Sequence, residues 1–270
     1  ERLCAICRGS NMDRSEVKEG KIELTASADG VFLVDSERLK AINSLDEIMI
    51  ATRKGSTAVK AGDKLCGTRV IPLVIEEQKL IEAEKIAGEE PLLRVKPFIL
   101  KKAAVITTGS EVFHGRIKDT FTPVVEAKLN GCGIAMTEHV CVDDGMENVI
   151  DAIRDMRTKD VDMILCTGGM SVDPDDNTPG AIKNSGASIV TYGAPVLPGA
   201  MFLLGYFEDD MPIMGLPGCV MYAGATIFDL VLPRVAAGGK LVKSDFVEFG
   251  EGGLCLGCKP CHYPSCPFGK

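Results

Sequence analysis

The rhythm of apolar and polar positions changes near residue 98. Before it, short runs alternate apolar with polar residues between turn signals, the pattern of half-buried strands. Lys21–Ala26 and Val31–Val34 are predicted strands flanking Ser27-Ala28-Asp29-Gly30. Glu47–Thr52 and Arg69–Ile75 are two more, with a turn at Val59-Lys60-Ala61-Gly62-Asp63 between them. Ser36–Asn43 reads as a short helix and Glu76–Ala87 as a charged helical connector, broken by Gly88-Glu89-Glu90-Pro91. After Pro97, strands and helices alternate. Ala103–Thr107 is a β-branched apolar strand, and Thr122-Pro123 opens a helix that runs to Asn130 and stops at Gly131. Ile134–Val142 is the next strand. Asp144 and Glu147 form a capping-box pattern ahead of Val149, Ile150, Ile153 and Met156, which share one helical face. Asp162–Thr167 is almost wholly apolar, as a strand covered on both faces should be. A short helix from Thr178-Pro179 ends near Gly186, and Ser188–Tyr192 follows as a strand. Met201–Phe207 and Pro212–Leu216 read as a hairpin around Glu208-Asp209-Asp210-Met211. Val220, Ala223, Ile227, Leu230 and Val231 predict one long helix, ended or kinked at Pro233.

This order predicts an α/β fold: a mostly parallel sheet with helices on both faces over 99–240, behind a β-rich N-terminal domain over 1–98. Residues 241–270 form a separate Cys-rich tail. Sheets of this kind bind ligands beyond the carboxyl ends of their strands. Composition narrows the function classes. A net charge of −8 without a Lys/Arg cluster argues against nucleic acid as a partner. No apolar run reaches the roughly 20 residues of a membrane span. Glu1-Arg2-Leu3-Cys4 has no signal-peptide character, and a start without Met is expected of a chain lacking an N-terminal part. Cys141 and Cys166 lie in apolar runs and read as small buried hydrophobes in a reducing, cytoplasmic compartment. Cys4-x2-Cys7 is a redox pair or two further metal ligands, with no context that decides.

Four glycine turns each follow an apolar run: Thr107-Thr108-Gly109-Ser110-Glu111, Thr167-Gly168-Gly169-Met170-Ser171, Leu197-Pro198-Gly199 and Gly215-Leu216-Pro217-Gly218. Glycine lets backbone approach a ligand closely, and helix N-termini such as the one after Gly115-Arg116-Ile117-Lys118-Asp119-Thr120 favour anions. The second turn runs on into Asp173, Asp175 and Asp176. Carboxylates beside a phosphate site need a cation, commonly Mg²⁺. Asp143 is free for such a role if Asp144 caps the helix after it.

These motifs, in this order, resemble the molybdopterin-binding domain of molybdenum-cofactor biosynthesis proteins over about 99–237, with the MoeA/gephyrin E-domain branch closest and MogA-like proteins related. The resemblance implies a three-layer α/β domain that binds molybdopterin or its adenylylated form, a small pterin–nucleotide ligand, and a homo-oligomer. It implies that Thr108, Gly109, Glu111, Asp119, Gly168, Gly169 and Ser171 line the pocket, with Ser110, Thr120, Asp173, Pro198 and Gly199 beside them. Asp143 and Asp176 match acidic positions tied to chemistry, and Pro217 and Gly218 match the last turn. The MoeA-like branch is a molybdotransferase that inserts molybdate and releases AMP. This chain departs from the pattern. Ser110 stands for the usual Asp, Ala200 for a basic residue, and Cys219-Val220 for Asn-Pro. Loss of a cation beside an anionic ligand weakens binding. A non-catalytic molybdopterin carrier or sensor is therefore one alternative. A nucleotide pyrophosphatase of the competence-damage (CinA) type, which shares the fold, is another.

The tail reads Cys255-x2-Cys258-x2-Cys261-x4-Cys266-Pro267. Four thiolates so close can surround one metal centre. The run is one residue longer than the ferredoxin pattern, which points to an iron–sulfur cluster, while paired C-x2-C corners leave zinc open. With few apolar residues, the tail is expected to need a metal to fold.

Overall fold

The computed structural model describes residues 1–170 and 176–270. Its chain divides into two compact units, Glu1–Phe98 and Ile99–Lys270.

The first unit is β-rich. Its strands are β1 (Met12–Arg14), β2 (Lys21–Ala26), β3 (Gly30–Val34), β4 (Ile48–Thr52), β5 (Thr57–Val59), β6 (Lys64–Val70) and β7 (Leu93–Pro97). They form antiparallel sheets ordered β1-β2-β6-β4 and β5-β3-β7. Helices α1 (Arg2–Cys7), α2 (Ser36–Asn43) and α3 (Glu77–Ala87) pack with them. Alternation works as the sequence implies: Ile22, Leu24 and Ala26 of β2 point into a core with Phe32, Ile42, Leu65 and Val95. Asp35 caps α2 by accepting from the Arg38 N–H at 2.9 Å. The strand expected over Arg69–Ile75 is instead Lys64–Val70, sharing only Arg69 and Val70 with it. Pro72 has no N–H for a ladder, and Leu73 and Val74 are exposed. Cys4 and Cys7 are core residues, and a hydrogen bond to Cys66 together with burial raises the Cys7 thiol.

The second unit is built on β8 (Lys102–Thr108), β9 (Ala135–Val142), β10 (Met163–Thr167), β11 (Ser188–Tyr192), β12 (Leu203–Tyr206) and β13 (Pro212–Leu216). Among the described residues they make a six-stranded sheet, β11-β12-β13-β10-β8-β9. The ladders β9–β8, β8–β10 and β10–β13 are parallel, and β12 alone runs against its neighbours. The helices are α4 (Ser110–Phe113), α5 (Thr122–Gly131), α6 (Met146–Arg157), α7 (Thr178–Asn184), α8 (Ile227–Ala236) and α9 (Lys243–Val247). β10 and β13 are buried along their whole length, which explains their uninterrupted apolar sequences. Ala104, Ile106 and Ile164 face one core with Val149 and Ile153 of α6 and Ile182 of α7. Ala103, Val105 and Leu165, of opposite parity, are buried on the other face, where α5 packs against β8 and β9.

Three local expectations are corrected. The single helix from Val220 is two pieces: a 3₁₀ turn over Gly218–Met221, then α8, which starts only after Thr226. The Thr226 side chain accepts from the Phe228 N–H while Asp229 accepts from the Thr226 N–H, a reciprocal cap that sets the true start. Pro233, expected to end or kink the helix, does not end it but sits inside α8. Cys141, expected to be buried, is partly exposed because β9 is an edge strand; Cys166 on β10 is fully buried, and burial pushes its thiol up to about 12.

Candidate functional site

Parallel register gathers the glycine turns. Thr107 pairs with Thr167, and Thr167 with Leu216, so β8, β10 and β13 end level. Val142 pairs with Thr108 and brings the end of β9 to the same edge. The first, second and fourth turns leave from these ends. The third leaves from the same edge, since Tyr192 pairs with Leu203 and Leu203 with Gly215.

Threonine hydroxyls lock the first two turns together. Thr108 Oγ1 donates to the Thr167 carbonyl at 3.1 Å, and Thr178 Oγ1 to the Gly168 carbonyl at 2.9 Å. Gly168, at φ +85°, has no room for a side chain: a Cβ there would lie 2.2 Å from the Thr108 carbonyl oxygen. Just past the fourth turn, Met221 Sδ meets the hydroxyl of Thr120, in the loop before α5, at 3.1 Å. Gly218 of that turn opens on free space. The third turn packs elsewhere. A Cβ on Gly199 would lie 2.5 Å from Ile227 Cγ2, and the Ile227 N–H donates to the Pro198 carbonyl at 3.3 Å, so Pro198 and Gly199 brace the start of α8.

The acidic residues around this edge are of two kinds. The Ser110 hydroxyl donates to Asp143, as does the Asp144 N–H at 2.9 Å. The Ser110 hydrogen bond, then that N–H, with a further contribution from His114, hold the Asp143 carboxyl below the usual carboxylate range against mild desolvation. Asp144 does not cap α6. Its Oδ2 accepts from the Ser110 N–H at 3.0 Å, Gly145 takes the cap position, and Asn177 Nδ2 donates to the Asp144 carbonyl at 3.0 Å. Asp143 and Asp144 thus tie the end of β9 to the first turn, and Asn177 ties both to the start of α7. Asp176 is different: its Oδ2 is buried and has no hydrogen-bond partner among the described residues. Ser171 and Asp173, expected in the site, lie outside the described residues, as does Asp175.

Asp119 starts α5. Its Oδ1 accepts from the Phe121 and Thr122 N–H groups at 2.8 and 3.0 Å, and its Oδ2 from the Thr122 hydroxyl. Burial pushes this carboxyl up, but those bonds and His139 outweigh it and hold it low. Thr122, expected as the cap, is the first helical residue. Glu111 is exposed on the short α4, and its carbonyl accepts from the Arg116 N–H at 2.8 Å.

Two neighbours of Asp119 escaped the sequence reading. His139 Nε2 lies 3.7 Å from Asp119 Oδ2 and 3.8 Å from Cys141 Sγ, with the Thr107 hydroxyl at 3.0 Å. Asp119, His139 and Cys141 form, among the described residues, the one group of three such side chains whose ligand atoms lie within 4.8 Å of one another. Their donor types suit a borderline divalent cation such as zinc. The signal available was the two-residue spacing of His139 and Cys141 on one strand face; only β8–β9 pairing brings Asp119 to them.

The tail packs within the second unit. The Cys255 N–H donates to the Leu197 carbonyl at 2.8 Å, and the Leu197 N–H to that of Gly253 at 2.8 Å. Phe268 is buried against Tyr263. Cys255, Cys258, Cys261 and Cys266 are free thiols around one cavity of about 330 Å³.

Residues 104–237 match the family model described as "Probable molybdopterin binding domain". The chain is 34% identical over 86 residues to a CinA-like protein of Pseudothermotoga lettingae, covering 32% of this chain and 21% of that protein. It is 32% identical over 83 residues to a CinA-like protein of Desulfosudis oleivorans, covering 31% and 20%. The matched segment thus spans about a fifth of each of these curated relatives. Among solved structures, the molybdopterin biosynthesis enzyme MoaB of Thermus thermophilus is 18% identical, covering 52% of this chain and 98% of that one, with a TM-score of 0.41. The tungsten cofactor synthesizing protein MoaB of Pyrococcus furiosus is also 18% identical, covering 50% and 91%, with a TM-score of 0.41. No helix among the described residues is long and apolar enough to cross a membrane.

Proposed function

Residues 104–237 belong to the molybdopterin-binding domain family, and from that premise we propose that this chain binds molybdopterin or adenylylated molybdopterin at the carboxyl edge of β8, β9, β10 and β13. The observation that carries the reading is the level ending of those strands, which sets two interlocked glycine turns beside two acidic groups. Thr108, Gly109, Ser110, Gly168 and Gly169 form the floor against which the anionic part of the ligand lies, and Asp119, Thr120, Pro217 and Gly218 its rim.

In the finer reading the chain inserts molybdate and releases AMP. Asp143 and Asp176 hold Mg²⁺. Asp143 suits this because Ser110 and the Asp144 N–H keep it ionised; Asp176 because its buried Oδ2 lacks a partner among the described residues, and a cation would satisfy it. Bound there, Mg²⁺ offsets the charge of the phosphoanhydride. Ser110 and Asp144 keep the first turn in place, and the Thr108 and Thr178 hydroxyls keep the second against it. The four tail cysteines are a metal site of their own, with iron–sulfur and zinc both open on spacing alone.

Whole protein purified without oxygen should release a pterin on denaturation, seen as fluorescence after oxidation; its absence, with no binding of added molybdopterin, refutes the reading. AMP release on adding molybdate to the adenylylated pterin separates a transferase from a carrier, which gives none. The names of the curated relatives support the second reading, a CinA-type pyrophosphatase. That enzyme would hydrolyse ADP-ribose without molybdate.

A further inference from the structure

The tail cysteines come from a stretch that is anchored at both ends and open in the middle. At its start, Cys255 is tied by its N–H to the Leu197 carbonyl. At its end, Cys266 lies between Tyr263, whose hydroxyl donates to the Asp229 carbonyl at 3.0 Å, and Phe268, which is buried. Cys258 and Cys261 lie between them and are exposed. Gly257, at φ +67°, makes the turn inside the first C-x2-C step. Cys261 is seated against the backbone of Gly224, where a Cβ would come within 2.8 Å of its Sγ, so only glycine leaves the thiol its place. All four side chains line one cavity, whose wall on the sheet side includes Pro198.

The separation of the four sulfurs bears on which metal they hold. A single zinc ion bound by four thiolates at about 2.3 Å draws the sulfurs to about 3.8 Å from one another. Among the described residues, no three of these sulfurs lie within 4.8 Å of one another. They are instead spread around the wall of a cavity of about 330 Å³, which Tyr222, Leu254, Tyr263 and Phe268 line with them. A polynuclear cluster has a core of its own that keeps its thiolates apart. The C-x2-C-x2-C part of the run matches the three cysteines that hold one cluster in the bacterial ferredoxin pattern, while the spacing of the fourth leaves zinc open.

We propose that Cys255, Cys258, Cys261 and Cys266 hold a four-iron iron–sulfur cluster in this cavity, with Cys258 and Cys261 on its solvent side. The cluster abuts the Leu197-Pro198-Gly199 turn, and the site stands whether or not the pterin reading does.

The whole chain, produced with iron and sulfide supplied and purified without oxygen, tests this. About four irons and about four acid-labile sulfides per chain are expected, with a broad visible absorption that dithionite bleaches and an electron paramagnetic resonance signal in the reduced sample. C258S and C261S change exposed residues. Circular dichroism should show them folded, while iron and sulfide fall together to a small fraction of the parent value. Stoichiometric zinc without sulfide overturns the proposal. So does a chain that takes up no metal, or folded C258S and C261S variants that keep their full iron and sulfide.

Discussion

Tyr263 gives the most exacting test of how the tail is joined to the sheet domain. In α8 the carbonyl of Asp229 should accept from the N–H four residues on, but that residue is Pro233, which has none. The Tyr263 hydroxyl donates to this carbonyl at 3.0 Å. The tail thereby satisfies an acceptor that a proline orphaned on a helix it meets only in three dimensions. Tyr263→Phe removes the donor and keeps the ring against Phe268. An unsatisfied buried acceptor costs about 1–3 kcal/mol. Tyr263 and Asp229 are each only half-buried, which puts the expected loss at about 1–2 kcal/mol. For a unit of this size that lowers Tm by about 2–8 °C. Calorimetry with the tail in one fixed metal state measures it, because metal binding adds stability of its own. The decisive arm is a cycle with Pro233→Ala. That substitution restores the N–H, so Tyr263→Phe should cost about 0.5 kcal/mol or less in its background, and the two changes should couple by about 1 kcal/mol. An equal penalty with and without Pro233, or none in either, refutes the reasoning.

Further outcomes follow from the site. Gly168→Ala forces a Cβ to within 2.2 Å of the Thr108 carbonyl at positive φ, so pterin binding should fall at least about 10-fold, read by titration; binding unchanged would show that the interlocked turns do not form the floor. Asp143→Asn should lower molybdate-dependent AMP release by about 10²-fold while pterin binding persists, in a single-turnover assay. Asp119 is held below its unfolded pKa, so its contribution is present above about pH 4 and lost as pH falls through the folded value. The stability difference between wild type and Asp119→Asn, from denaturant titrations, should therefore shrink between about pH 6 and about pH 3; a constant difference would contradict this account of its hydrogen bonds.

What could be read from the sequence was short-range. The α2 helix over Ser36–Asn43 follows from its own residues, and so does the β12–β13 hairpin, because a cap or a turn is decided within a few residues. Buried parallel strands such as Met163–Thr167 announce themselves by apolar runs, since both faces are covered. The same locality misled the reading where a distant partner competes. Asp144 has a capping-box spacing, yet its carboxylate goes to the Ser110 N–H, because sheet pairing sets the first turn beside it. The periodicity from Val220 to Val231 is genuine, yet Thr226 and Asp229 cap a helix that begins later.

By itself, then, the sequence determined where the strands of the second unit stop and which glycines follow them, because side-chain alternation and backbone freedom act over neighbouring residues. Tertiary structure alone decided that Thr107, Thr167 and Leu216 end level, that His139 and Cys141 meet Asp119, and that Tyr263 completes α8. Those contacts join residues tens of positions apart, and their distances are set by the register of a parallel sheet and by helix packing, which no local pattern encodes.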